Sequence, residues 1–402
     1  MSSPGPTFQA PAHEAIVAGW AAHTREAARV ELGDPALDHL VGAAVRSVVL
    51  GGADHVLERA ERAVAVTELL ARSSMAEPLG PFARALVDAQ KLSGALRLDD
   101  GGDATAALLF AAAPLLATGA EQWQELLVGP VAKSVHMVHK GAVLADPSTW
   151  ATGATALRLV APALCLAGQP DVADHAVAAA SVVAARDGAA SNPEATAGVR
   201  SGDLIRQLAR LRAAIGAADG DPQVLAELTH LAHLGSSLSL ADAYDDAEVP
   251  AGTLGYDPGA LAARASALID MVVTDGSSGP VLLAGWSGAL WGRSVEAHRV
   301  ATSLGHVSFA VRWHGIRPAL LWEVEPWPSV DGPEPVLTAP VLDPLWVGRG
   351  WSGEALLAEV DPPEGYVRAP EPSVAAGTLL TPTRIDLSAV LPAPPAEGQS
   401  FS

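Results

Sequence analysis

A single cysteine, Cys165, in 402 residues excludes any disulfide within the chain and suits a reducing compartment. Its apolar neighbours Ala163, Leu164, Leu166 and Ala167 lead one to expect a buried, inert thiol rather than a nucleophile. Basic residues are also scarce, 25 Lys and Arg against 45 Asp and Glu, for a formal net charge of −20. With no Lys/Arg stripe, a surface of that sign repels phosphate backbones and anionic lipid, which argues against nucleic-acid and membrane partners. Long hydrophobic runs are missing too. The longest apolar windows, around 106–118 and 157–167, are too short for a membrane span and are broken by Pro114 and Pro162. MSSPGPTFQAPAHEA at the N-terminus has neither a basic region nor an apolar one, so no secretory leader is expected and the cytoplasm is the expected location.

What is present is apolar. Hydrophobic residues make up 49% of the chain and charged ones 17%, enough for a large core and too little charge for wholesale disorder. Much of this apolar content is alanine, which favours closely packed helices. From about Pro11 to Asp275 the apolar residues recur at helical spacing. The first predicted helix, His13–Leu32, is followed by one entered at Pro35 and another starting at Asp54. Further helices are predicted over Leu79–Lys91, Ala104–Thr118, Gln122–Lys140, Thr149–Leu166, Val172–Asp187, Ser201–Ile215, Gln223–Tyr244 and Pro258–Asp275, about eleven in all. Two stretches echo each other, TAALLFAAAPLLATGAEQW from Thr105 and TALRLVAPALCLAGQPDVA from Thr155. A period of about 50 residues is what one helical hairpin with its connections would occupy, although glycine-capped alanine helices also look alike by composition.

After Asp275 the period changes. Seven of the ten tryptophans fall between Trp286 and Trp351. HVSFAVRW alternates so that Val307, Phe309, Val311 and Trp313 share one face, and PALLWEVE follows across the turn His314-Gly315-Ile316-Arg317, a predicted hairpin. PVLLAG, SVEAHRVA, PVLTAP and EALLAEV are shorter strand candidates. The predicted organisation is a helical-hairpin domain at 1–276, a Trp-rich β module at 277–360 and a proline-rich, partly disordered tail at 361–402.

The run LLAGWSGALWGRSVEAHRVATSLGHVSFAVRWHGIRPALLWEV, Leu282–Val324, resembles the C-terminal β segment of actinobacterial glycoside-hydrolase-like proteins. The likeness is strongest at Arg312-Trp313-His314-Gly315 and at Arg317-Pro318-Ala319-Leu320-Leu321-Trp322-Glu323. Gly94–Trp123 is similar to a helical segment of the same group. Those proteins belong with the six-hairpin, or (α/α)6-toroid, glycosidases, which include glucoamylase-, trehalase- and rhamnosidase-like enzymes. The resemblance implies a mainly α fold, an (α/α)6-toroid-like array of helical hairpins with a small C-terminal β module, and a saccharide ligand in a central funnel. It implies two possible functions: hydrolysis of a glycosidic bond, or non-catalytic binding of a saccharide or a protein partner.

Hydrolysis needs two carboxyl groups across the bond, one held protonated. The loop Asp99-Asp100-Gly101-Gly102-Asp103 offers Asp100 and Asp103; Asp103 also stands where it would cap the following helix. The cluster Asp242-Ala243-Tyr244-Asp245-Asp246 with Glu248 offers Asp246 and Glu248, since crowded like charges raise a carboxyl's affinity for its proton. The alternative for both clusters is a solvated loop. Trp286 and Trp291, in the loop-like WSGALWGR, and Trp123 in the helical part are the candidate sugar platforms. The pairs His136/His139 and His230/His233 have i,i+3 spacing and would suit zinc only if their helices met. Interfacial histidines are the simpler reading, so neither a metal nor a cofactor is expected.

Overall fold

The computed structural model describes residues 13–33, 38, 40–51, 56–141, 150–190, 258–276, 279–285, 291–328 and 334–362. All of them belong to one compact unit, Met1–Pro363; a second unit, Glu364–Ser402, lies outside the described residues. The predicted helices Ser201–Ile215 and Gln223–Tyr244 lie outside them as well.

The helices are α1 (His13–His23), α2 (Leu40–Gly51), α3 (Ala60–Arg72), α4 (Leu79–Ala89), α5 (Thr105–Ala117), α6 (Glu121–His139), α7 (Trp150–Leu166), α8 (Pro170–Ala190) and α9 (Pro258–Val272). A helix with no polar stripe can satisfy its surface only from the centre of a protein. In α5 every residue from Thr105 to Leu116 is buried, and α3, α4, α6 and α7 pack around it. α3 is buried from Ala63 to Arg72, between α5 and α9. By contrast α6 buries one stripe, Leu127, Val131, Val135 and Val138, and covers the array from outside. The two echoing segments form α5–α6 and α7–α8, each pair joined at a glycine with positive φ, Gly119 (φ 69) and Gly168 (φ 71).

The (α/α)6 toroid is not what these helices build. A toroid needs inner helices that all run the same way. The Asp100 carboxylate, just before α5, accepts the amide of Ala60, so α3 and α5 begin side by side (3.0 Å). A buried ion pair between Arg72 and Asp270 brings the ends of α3 and α9 together, so these three helices run parallel. α7 runs the other way. His139, the last residue of α6, stacks on His175 in the second turn of α8, which follows α7 across 167–169. Arg158, at the midpoint of α7, reaches toward the other end and donates to the Asp275 carbonyl just past α9 (2.7 Å). The central row α9–α3–α5–α7 therefore contains one reversed member, and nine helices among the described residues stand beside two sheets. The connection lengths allow this reversal. Residues 141–149 reach about 30 Å when extended, the length of a helix of 19 residues such as α6, about 28 Å.

The β part is larger than the sequence suggested. One sheet is antiparallel throughout, in the order β1-β4-β5-β6-β9: β1 (Arg29–Glu31), β4 (Val295–Ala301), β5 (Gly305–His314), β6 (Arg317–Pro326) and β9 (Ser352–Leu356). The other is mixed, in the order β2-β3-β7-β8: β2 (Val273–Asp275), β3 (Pro280–Leu282), β7 (Val336–Ala339) and β8 (Asp343–Arg349), with β3 and β7 parallel. The predicted hairpin is β5–β6. Its buried residues pair across the strands, Val307 with Val324, Phe309 with Trp322 and Val311 with Leu320, so both strands present one apolar face.

Two predicted helices end early for the same reason. His13–Leu32 stops at His23 because Arg29–Glu31 pairs with Glu296–His298 of β4. Pro258–Asp275 stops at Val272 because Val273–Asp275 pairs with β3. Sheet edges recruited both segments against their helical spacing. No helix among the described residues is long and apolar enough to cross a membrane.

Candidate functional site

Two polar assemblies sit at opposite ends of the parallel helices α3, α5 and α9. The first is the loop 90–104, which crosses the N-terminal ends of α3 and α5. A helix leaves its first amides without partners, and a carboxylate is the strongest acceptor for them. Asp100 fills that role for α3: one oxygen takes the Ala60 amide (3.0 Å), and the other takes the amide of Gly102 (2.9 Å), closing its own loop. Asp103 does the same for α5 by accepting the amide of Thr105 (2.8 Å). The loop is pinned further by short bridges Gln90–Leu96 and Arg97–Asp103 and by the Gln90 amide, which donates to the Pro130 carbonyl and the Ser134 hydroxyl of α6.

The sequence therefore brings Asp100 and Asp103 to one loop, as expected, but both carboxylates are engaged with backbone amides. Asp99 is exposed beside them. Asp246 and Glu248 lie outside the described residues, as do Trp286, His230 and His233. Trp123 is half-buried: the Arg84 guanidinium lies 5.0 Å over its ring, and its edge packs against Gly80. Trp291 is buried, its indole N–H donating to the Val360 carbonyl (3.1 Å) and its ring 4.9 Å from that of Trp313.

Sequence reasoning missed the second assembly, at the C-terminal ends of α3 and α9. Arg72 pairs with Asp270 and donates its other nitrogen to the Val273 carbonyl (2.7 Å). Asp275 accepts both the amide and the hydroxyl of Ser303, at 2.9 and 3.0 Å, from the turn between β4 and β5. With Arg158 on the Asp275 carbonyl, these side chains tie α3, α7 and α9 to both sheets. The signal was in the text: Asp270 is a lone charge within LIDMVV, and Arg72 follows LLA at the end of a buried helix. An isolated ion in such a run is tolerated only with a partner.

Burial pushes the Asp275 carboxyl above its ordinary value of 3.8, against the opposing pull of Arg72, the Ser303 bonds and Arg158. Below 3.8 both the folded and the unfolded chain hold this proton. Above it the unfolded chain releases the proton first, so stability falls as pH rises toward the folded value and then levels. Urea unfolding across that range is expected to show this decline in the wild type and not in Asp275→Asn. Parallel curves for the two proteins would show that burial does not govern this carboxyl.

In the antiparallel sheet His306 of β5 packs on Trp327 (4.6 Å between centroids), and burial, aided by Arg299, draws its imidazole down to about 4. That imidazole is neutral at neutral pH and serves as packing. Among the described residues no group of three or more His, Cys, Asp or Glu side chains converges in metal-binding geometry. Asp100 and Asp103 hold helix ends, and Asp270 and Asp275 join layers. No family model, curated protein or solved structure matches the chain, so the likeness to glycoside-hydrolase-like proteins rests on the residues quoted for it.

Proposed function

We propose that this chain is a glycosidase-like protein that binds a saccharide without hydrolysing it. The saccharide class comes from the likeness of Leu282–Val324 to the β segment of glycosidases. The observation that favours binding over hydrolysis is the engagement of Asp100 and Asp103. A general acid must present a protonated oxygen to the leaving group. Asp100 instead gives one oxygen to the α3 amide and one to its own loop, and Asp103 accepts the first amide of α5.

The test has two arms on the full chain. A panel of mono- and oligosaccharides is expected to include at least one that raises the melting temperature in a saturable way. A panel of nitrophenyl glycosides is expected to give no turnover above buffer. Asp100→Ala is expected to lower stability by about 0.5–2 kcal/mol, the worth of a helix cap, and to leave saccharide binding in place. Turnover that Asp100→Ala or Asp246→Asn abolishes would overturn the non-catalytic reading. A chain that binds no saccharide in the panel would overturn the ligand class.

A further inference from the structure

We propose that the outer face of β8 is the contact through which two copies of this chain form a two-fold dimer. β8 ends the mixed sheet at its edge, and alternation gives Asp343, Leu345, Val347 and Arg349 one common face. Positions between them look inward: Trp346 packs edge-on against Trp322, and Gly348 is buried. The outward row is therefore acid, apolar, apolar, base. Leu345 in it is 91% exposed, and Val347 is exposed beside it.

Neighbouring strands widen the apolar part. Ala358, just past β9, donates its amide to the Asp343 carboxylate (3.0 Å), which sets the end of β9 beside the start of β8. Exposed Leu356 of β9 thereby flanks the row, and exposed Leu321 follows on β6, opposite Glu354. On the other side Val347 pairs with half-buried Thr338 of β7. Four exposed large apolar side chains on three strands amount to a few hundred Å², as much as a monomer commonly leaves uncovered. That is enough for the apolar centre of an interface of about 800 Å² per partner.

The order of the row selects its occupant. Packed antiparallel on itself about a two-fold axis, it sets Leu345 of each copy against Val347 of the other, and Asp343 against Arg349. Both charges are available for this. Arg349 is exposed and has no carboxylate partner among the described residues. The Asp343 carboxylate also accepts the Leu345 amide (3.1 Å), and a carboxylate keeps lone pairs beyond two such bonds. A parallel copy would set acid on acid and base on base, and an unrelated partner would have to supply the same row reversed. The net charge of −20 on each copy opposes association, but salt at physiological strength screens that repulsion beyond about 8 Å. This dimer is separate from the proposed saccharide function, and either can fail without the other.

Sedimentation velocity of the full chain, from about 1 to 100 µM, tests the proposal. The expected result is a monomer–dimer equilibrium with a dissociation constant on the order of micromolar, ending at two copies because a two-fold contact closes on itself. Leu345→Glu is expected to weaken it about tenfold or more, and Arg349→Glu by a similar factor. Both positions are exposed, so the melting temperature of the dilute monomer stays unchanged in each variant. Leu92→Glu is the control: Leu92 is 96% exposed in the loop 90–104, away from β8, and is expected to leave the dimer intact. A chain that stays monomeric across the range, association that continues past two copies, a dimer indifferent to Leu345→Glu, or equal weakening by Leu92→Glu overturns the second copy as the occupant of this face.

Discussion

Asp270→Leu is expected to cost about 3–5 kcal/mol of unfolding free energy, the usual result of stranding one member of a buried ion pair. Arg72 is 2% and Asp270 8% exposed, so the guanidinium left behind has no water to turn to. The charge would remain at the point where α3 and α9 end and the strands begin, which makes the damage more than local. A double-mutant cycle separates the pair from its surroundings. Arg72→Met with Asp270→Leu removes both charges and fills the space. It is expected to recover most of the loss, because well-packed apolar residues often match a buried pair in stability. The recovery stops short by about 1–3 kcal/mol, since the Val273 carbonyl loses the donor it now has in Arg72. Urea unfolding followed by tryptophan fluorescence measures all four corners. A single-mutant cost below about 1 kcal/mol, or costs that simply add in the double mutant, would show that the pair does not hold this junction.

Gly305→Ala is the second large effect. Gly305 opens β5 opposite Pro326 of β6 with φ +145, a backbone conformation that side chains rarely adopt. A Cβ added there would stand 2.0 Å from the Glu325 carbonyl oxygen and 2.8 Å from the Pro326 Cα. Both obstacles are backbone of the paired strand, so neither can swing aside. The Gly305 carbonyl also accepts the amide and the hydroxyl of Thr302, which fixes the turn from β4. Backbone strain contributes about 1–3 kcal/mol, and forced displacement of β6 a further 1–3. The melting temperature is expected to fall on the order of 10 °C. Gly315→Ala is the control: φ is +70 there too, but nothing lies within 4 Å of the added carbon, so only the strain remains. Equal losses at the two positions would sink the steric account.

The elements most legible beforehand are those whose burial is uniform or strictly periodic. Leu79–Ala89, Thr105–Ala117, Glu121–His139 and Trp150–Leu166 match their predicted spans to within two residues, and β5–β6 folds as the alternation required. Segments whose partner is distant were read less well. Arg29–Glu31 becomes a strand through pairing with β4, 265 residues and more downstream by register (Arg29 with His298, Val30 with Ala297). β8, DPLWVGR, exposes Leu345 and Val347 on one face, so its apolar residues do not alternate with polar ones as a half-buried strand's do. In the site, the capping role of Asp103 was readable from its place before an apolar helix. That of Asp100 was not, because its partner amide, Ala60, is 40 positions away.

The sequence by itself determined that this chain is acidic, carries one thiol, and packs alanine-rich helices ahead of a tryptophan-rich β region, because composition and period depend only on neighbours along the chain. Tertiary structure alone decided the direction of α7, and with it the departure from a toroid. Helical period records which face of a helix is apolar but not which way the helix runs past its neighbour. It also decided that Arg72 finds Asp270 and that His175 joins His136 and His139, since charges and imidazoles acquire their meaning from partners that only packing supplies.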